Sequence, residues 1–231
     1  MRLASPTLLP GPILLGESLT DADHTVDWQR LPVQRDEEQV KLDVHRAFVY
    51  YPLGMHSGTG PMGDAVCLHG IDESEKQIEG RKQELSDLIT GLLRQHPCLH
   101  YFQGFHDIAQ VLLLVLGADK AAPLLVRLSL LRIRDYMLPT FSASESHVQL
   151  LPAIVYATDP KLCQHLAGLR PYFAIAATLT LYAHDIEEYG GIARLFDFLL
   201  AHEAVISVYM YATVSLASLR PARNGAALPV D

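Results

Sequence analysis

Cysteine is scarce in this sequence of 231 residues. The three cysteines, Cys67, Cys98 and Cys163, are far apart and form no Cys-x-x-Cys pair. This spacing argues against a disulfide scaffold and indicates a reducing compartment. Because an isolated cysteine is more often a small buried side chain than a nucleophile, we interpret all three as buried and unreactive.

Basic residues are also in deficit, with 18 Lys and Arg against 26 Asp and Glu and a formal net charge of −8. A protein that binds a nucleic-acid backbone needs a surplus of Lys and Arg, so nucleic acid is excluded as the main partner. The run 127–134 still holds three arginines. We predict that they lie on one solvated helix face.

Long apolar segments are missing as well. Pro10 and Pro12 interrupt the N-terminal apolar stretch, which argues against a secretory signal. The stretch 204–219 is shorter than the ~20 residues that a membrane-spanning helix needs. It also contains three serines and a threonine. We therefore expect a buried core helix there, no membrane span, and a cytoplasmic protein.

Strand patterns are equally rare, because no run of β-branched residues alternates over a useful length. Helical periodicity predicts an all-α domain instead. The predicted helices are Glu37–Tyr50, Glu75–Gln95, Gly104–Leu116, Lys120–Met137, Ser144–Ala157, Pro160–Leu169, Tyr172–His184, Gly191–His202 and Ala204–Leu219.

Local signals refine this pattern. Ser74 is the predicted N-cap of the second helix, and the third helix is apolar all round, which predicts a central position in the core. Residues 53–74 hold five glycines and are predicted to form a flexible loop, and 220–231 a disordered tail. The sequence thus predicts one domain over residues 1–219.

The densest group of possible metal ligands lies at 96–107. His96, His100, His106 and Asp107 have suitable side chains. Pro97 prevents His96 and His100 from sharing a helical face, which argues against a metal site.

The adjacent His106–Asp107 pair also matches the short motif of HD-type metal phosphohydrolases, which are all-α. The remaining ligands of such a site would come from His45 or His69 and from Asp159, Asp185 or Asp197. A motif of two residues arises often by chance, so this alternative is weak.

The same segment can be interpreted as a turn that enters the third helix. Gly104 allows a tight turn, and Gln103 would then lie at the exposed end of the helix. An amide both donates and accepts hydrogen bonds, as is needed to orient a water molecule against a phosphate. On this pattern alone, the simpler interpretation, a residue that only crosses a turn, is favoured.

Asp43 and Arg46 form a second candidate pair, because residues three apart share one helical face. A guanidinium held in this way is pre-oriented, and its planar donors suit a phosphate. The alternative is an ordinary surface ion pair, worth ~0–1 kcal/mol.

Three blocks occur in order: LDVHRAF at 42–48, YFQG at 101–104 and RLFDFLL at 194–200. Together they resemble the signature of the TBC domain, an all-α family of GTPase-activating proteins for Rab GTPases. The resemblance extends over residues 10–215, with 53–74 as an insertion.

The resemblance implies a role for each matching residue. Arg46 would be an arginine finger, and Gln103 would be a glutamine finger that places the attacking water. Asp43 would orient Arg46, while Tyr101 and Gly104 would shape the loop that presents Gln103.

Arg194 and Asp197, in the third block, are implied to fix the later helices rather than to act in catalysis. The resemblance also implies no metal or cofactor in this chain, since GTP and Mg²⁺ would be carried by a Rab GTPase in its GTP form. The sequence accordingly lacks the GxxxxGK[ST] motif of P-loop proteins. The implied setting is ER-to-Golgi vesicle traffic, at the cytosolic face of those membranes.

Two features depart from the family pattern. Ala177 and Leu181 stand where tryptophans are usual, and the chain ends soon after the third block, as in a truncated domain. A catalytically inactive TBC-like binding module is therefore the alternative to an active GTPase activator.

Overall fold

The computed structural model describes residues 27–49, 70–166, 168 and 170–223. The α-helices in these residues are α1 Glu37–His45, α2 Gly70–Gln95, α3 Phe105–Leu116, α4 Ala118–Leu131, α5 Ser142–Val148, α6 Leu151–Thr158, α7 Pro160–His165, α8 Ile175–Leu179, α9 Tyr189–Ala201 and α10 Ile206–Arg223. Three short 3-10 helices cover Trp28–Arg30, Arg134–Met137 and Pro171–Ala174. No strand occurs in these ranges, and the all-α prediction is confirmed.

Helix α3 lies at the centre of the larger of the two cores, as its composition predicts. Its first nine residues are buried apart from Asp107, and α1, α2, α4 and α9 pack against it. Only Val115, near the C-terminal end, is largely exposed. A helix surrounded in this way gives its N-terminal turn a fixed position, and that turn follows Gln103.

Helix α1 ends at His45, earlier than predicted, although its apolar face continues. Ala47 and Phe48 are buried beyond the helix end. Phe48 has a left-handed backbone with φ of 64°, and its N–H donates to the side-chain oxygen of Gln110 on α3 at 3.1 Å. This buried hydrogen bond offsets part of the cost of that backbone conformation. Tyr50 lies outside the described residues.

Helix α2 begins at Gly70, so the prediction that Ser74 caps it is wrong. The predicted loop 53–74 is also wrong for residues 70–74, which are helical, whereas residues 53–69 lie outside the described part. The expected apolar face is present, with Leu85, Ile89 and Leu92 buried.

Two predicted helices are divided in the structure. The range Lys120–Met137 is interrupted after Leu131, and the 3-10 helix Arg134–Met137 follows. The range Ser144–Ala157 is split because Pro152 lies in the first turn of α6, where its missing N–H has no helical partner to lose.

The predicted helix Tyr172–His184 is also wrong in its second half, because α8 ends at Leu179. Leu181 and Tyr182 adopt left-handed backbone with φ of 50° and 64°. Both side chains are buried, and the Tyr182 hydroxyl donates to the backbone oxygen of Ser207 at 2.6 Å. Ala177 and Leu181, where the resemblance leads us to expect tryptophans, both lie in the main core.

Arg132 does not belong to a solvated face, which corrects the interpretation of the three arginines. Its guanidinium donates to the backbone oxygens of Leu199, His202 and Glu203, at and just beyond the C-terminal end of α9. A cation at a helix C-terminus satisfies carbonyls that have no helical partner. Arg127 and Arg134 are exposed, as predicted.

Helix α10 closes a second, smaller core with α6 and α7. The helix continues to Arg223, so the predicted disordered tail is wrong for residues 220–223, and residues 224–231 lie outside the described part. Tyr209 and Val214 on α10 are exposed. Among the described residues, no helix is both long and apolar enough to cross a bilayer.

The prediction of buried cysteines is wrong for Cys98, which is exposed as a free thiol. Cys163 is half-buried and donates to the backbone oxygen of Pro152 at 3.5 Å. Cys67 lies outside the described residues.

Candidate functional site

Arg46 lies at the C-terminal end of α1, with 61% of its side chain exposed. Its guanidinium donates to Oδ1 of Asp43 at 2.5 Å, whereas Asp43 itself is fully buried. The predicted pair therefore forms, with one partner fixed in the core and the other at the surface. The buried carboxylate orients the guanidinium, which remains accessible to a partner molecule.

Three donors satisfy the buried Asp43 carboxylate. Besides Arg46, the Gln39 amide donates to Oδ1 at 3.0 Å and the Tyr101 hydroxyl donates to Oδ2 at 2.9 Å. Burial, followed by the negative charge of Asp43, raises the pKa of Tyr101 well above its usual range. Tyr101 thus remains a hydrogen-bond donor at every physiological pH. It joins the block that carries Gln103 to the block that carries Arg46.

A second contact ties the same two blocks together. The backbone N–H of Tyr101 donates to Oδ2 of Asp36, the residue that precedes α1, at 3.0 Å. The N-terminus of α1 is thereby held against the segment that leads to Gln103.

Glu37 and Arg94 fix α1 to α2. Arg94 donates to both carboxylate oxygens of Glu37, at 2.7 and 2.8 Å, and it lies over the Trp28 ring. The two side chains are only 9% and 13% exposed. The hydrogen bond from Arg94 lowers the pKa of Glu37, and burial opposes that shift. No local pattern predicts this pair, because its members are 57 positions apart.

Gln103 is exposed in the turn before α3, as predicted. Among the described residues its side chain has no hydrogen-bond partner, so the amide is available to a partner molecule. Gly104 has φ of 99°, and a Cβ there would lie 2.6 Å from Cγ2 of Thr180. Glycine is therefore required at this position by the backbone conformation and by the close approach of Thr180.

His106 and Asp107 begin α3 and extend the polar cluster. His106 is 9% exposed, and its Nδ1 lies 3.1 Å from the Tyr101 hydroxyl. Its Nε2 lies 3.3 Å from Oδ1 of Asp107, whose Oδ2 lies 3.3 Å from Nδ1 of the exposed His184. Sequence reasoning considered His106 only as a metal ligand and missed its contact with Tyr101.

The metal-site alternatives find no support in the described part of the chain, where no group of three or more His, Cys, Asp or Glu is placed to hold an ion. His100 contacts Arg35 instead of a neighbouring histidine. His45 is exposed on α1, and His69 lies outside the described residues.

Arg194 and Asp197 are both exposed on α9. Neither forms a hydrogen bond or an ion pair with another described residue. Their predicted role in fixing the later helices therefore has no polar contact to support it here. Phe196, between them in the same block, is buried in the main core.

The family model of the Rab-GTPase-TBC domain matches residues 67–224, which is more than half of the chain. The chain belongs to the Rab-GTPase-TBC domain family. The match includes Gln103 and begins after Arg46.

Curated relatives agree with this assignment. The chain is 34% identical over 183 residues to the GTPase-activating protein gyp10 of Schizosaccharomyces pombe, covering 78% of this chain and 44% of that protein. It is 32% identical over 186 residues to human TBC1 domain family member 20, covering 80% and 42%. Identity to the GTPase-activating protein GYP8 of Saccharomyces cerevisiae is 24% over 197 residues, covering 75% and 35%. The chain thus spans less than half the length of these relatives.

Proposed function

We propose that this TBC-family chain accelerates GTP hydrolysis on a Rab-class GTPase in its GTP form, with Arg46 and Gln103 supplied in trans. The observation that carries the proposal is the 2.9 Å hydrogen bond from Tyr101 to Asp43. It links the segment that carries the exposed guanidinium of Arg46 to the segment that carries the exposed amide of Gln103. Two of the relatives are themselves named GTPase-activating proteins.

Arg46 is suited to stabilise charge on the transferring γ-phosphoryl group. Phosphoryl transfer to water depends on positioning and on charge stabilisation, with little covalent chemistry. An arginine supplied in trans is worth ~10³–10⁵ in rate. Asp43 holds the guanidinium at the surface, where a docked phosphate can reach it.

Gln103 is suited to hold the attacking water in line with the phosphorus. Its amide can accept a hydrogen bond from the water and donate one to a phosphate oxygen. The rigid start of α3, with Gly104 packed on Thr180, fixes where this amide emerges. In this proposal GTP and Mg²⁺ are carried by the GTPase, and the chain contributes no cofactor.

Single-turnover GTP hydrolysis across a panel of Rab proteins, including those of ER-to-Golgi traffic, tests the proposal. The resemblance of the sequence blocks is the support for including that step of traffic. We expect one Rab to be accelerated by orders of magnitude, and Arg46→Ala and Gln103→Ala each to remove most of the acceleration.

Exposed residues of the same two types, outside the site, serve as matched controls. Arg127→Ala and Gln149→Ala change an exposed arginine and an exposed glutamine outside the site, and both should retain the activity of the unchanged chain. A folded chain that binds a Rab and stimulates none would contradict the catalytic proposal and favour the inactive binding module.

A further inference from the structure

His106 is a buried imidazole that contacts both halves of the proposed site. Its Nδ1 lies 3.1 Å from the Tyr101 hydroxyl and 3.9 Å from Oδ2 of Asp43. Its Nε2 faces Oδ1 of Asp107 in the first turn of α3. The ring therefore lies between the carboxylate that holds Arg46 and the helix that begins just after Gln103.

We propose that His106 is a positioning residue, which controls through Tyr101 how firmly Asp43 holds Arg46. This inference rests on the proposed function for its effect on rate. The contact between His106, Tyr101 and Asp43 can be tested without any GTPase.

The positions of the protons explain how His106 influences the Asp43–Arg46 pair. A neutral imidazole has one N–H, and the proposed tautomer carries it on Nε2, 3.3 Å from an Asp107 oxygen that can only accept. Nδ1 is then an acceptor. The single proton of the Tyr101 hydroxyl has two acceptors within reach, Nδ1 at 3.1 Å and Oδ2 of Asp43 at 2.9 Å.

Protonation of His106 changes this arrangement. Nδ1 becomes a donor to the Tyr101 oxygen, and the Tyr101 proton is left to Asp43 alone. The imidazolium also places a second positive charge 3.9 Å from Oδ2 of Asp43. Since this charge compensates the carboxylate that Arg46 otherwise pairs with, the guanidinium is held less firmly.

The charged groups that face His106 come from each neighbouring segment: Asp43 and Arg46 from α1 and its end, Asp107 from α3, and His184 from the turn after α8. Burial is the main cause that lowers the pKa of His106, and Arg46 and His184 act in the same direction. Asp107 and Asp43 oppose it. The net effect lowers the pKa of His106, so burial favours the neutral ring and protonation needs a lower pH than for an exposed histidine.

The kinetic test compares the intact chain with His106→Asn, His106→Leu and the control His147→Asn, which changes a histidine outside this cluster. In single-turnover assays, His106→Leu should lower the maximal rate about tenfold, the equivalent of one buried hydrogen bond, at unchanged half-saturating concentration. The maximal rate of the intact chain should fall as the pH drops through the pKa of His106. In His106→Asn, which cannot titrate, this fall should be absent. A pH profile shared by the intact chain and His106→Asn overturns the inference.

The second arm is nitrogen NMR of the histidines in the labelled chain, with no GTPase present. Wild-type His106 should show the Nε2–H tautomer, and Asp43→Asn should lower its pKa further, because the negative charge that raises it is gone. An Nδ1–H tautomer, or a pKa that does not respond to Asp43→Asn, overturns the contact. If no Rab is stimulated but the NMR results hold, the proposed function fails while the His106–Asp43 coupling stands.

Discussion

Asp43 is the residue on which the site depends, because a fully buried carboxylate costs free energy unless donors satisfy it. The sequence predicted its pairing with Arg46 from spacing alone. It could not predict the donors Gln39 and Tyr101 as a set, since Tyr101 is 58 positions away. Local patterns detect partners one helical turn apart, and long-range partners depend on how the helices pack.

Replacing Tyr101 with phenylalanine should destabilise the fold by about 1–3 kcal/mol, because Oδ2 of Asp43 loses its donor. Urea denaturation of the isolated chain measures the change. The exposed Tyr209 offers a matched control, and Tyr209→Phe should shift the free energy of unfolding by less than about 0.5 kcal/mol. Equal stabilities of Tyr101→Phe and the unchanged chain would show that the hydrogen bond contributes nothing.

The Glu37–Arg94 pair should make stability depend on pH. The folded pKa of Glu37 lies below its ordinary value of 4.5, so its contribution is full above that pH and is lost as the pH falls through the folded pKa. We expect Glu37→Gln to cost about 1–3 kcal/mol near neutral pH, with the difference from wild type shrinking under acid conditions. Denaturant titrations of both proteins, from neutral to acid pH, measure this difference in the free energy of unfolding.

Glu38→Gln is the charge-matched control for that series, since its side chain is 84% exposed beside Lys41. Its stability should follow that of the unchanged chain at every pH. If the Glu37 and Glu38 variants behave alike, the buried pair is not the source of the pH dependence.

At the scale of elements, periodicity predicted which segments are helical and failed mainly at their ends. The apolar face of α1 continues to Phe48, but the helix stops at His45 because the chain turns through a left-handed residue. The turn at Leu181 and Tyr182 contains neither glycine nor proline, so no local signal marks it. Both turns form hydrogen bonds with distant segments, Phe48 with the Gln110 side chain and Tyr182 with the Ser207 backbone. The sequence alone does not bring these segments together.

Gly104 is the N-cap of α3, and the position of Gln103 depends on its backbone conformation. Gly104→Ala forces a side chain into left-handed backbone and places its Cβ 2.6 Å from Thr180. We expect a loss of about 1–3 kcal/mol in the free energy of unfolding. Thr180→Ser, which removes the clashing methyl group, should recover part of this loss in the double variant.

The control for that substitution is Gly80→Ala within α2, where an added Cβ meets nothing within 4 Å. It should stabilise the chain by about 0.5–1 kcal/mol, because alanine favours a helix interior. Thermal unfolding of Gly104→Ala, Thr180→Ser, their double variant and Gly80→Ala compares these effects. Failure of Thr180→Ser to recover any stability would mean that backbone strain alone accounts for the Gly104 effect.

At the scale of the whole molecule, fold class and family could be predicted, since three short blocks in order sufficed to indicate the TBC domain. The positions of Arg46 and Gln103 in the chain do not predict how the two segments are linked. Their link runs through the half-buried Tyr101 and the buried Asp43, which come from different segments. The polar contacts at the end of α9 were also beyond sequence reasoning, because Arg132 reaches them from just after α4.

If Gln103 supplies the water-positioning amide, as we propose, a GTPase needs no catalytic-site glutamine of its own. The most direct measurement is single-turnover hydrolysis on a responsive Rab whose catalytic-site glutamine has been replaced by alanine. The account predicts that this chain still accelerates that Rab by orders of magnitude, and that Gln103→Ala does not. If the unchanged chain accelerates the natural Rab but leaves the glutamine-less Rab at its intrinsic rate, the two-residue mechanism is contradicted.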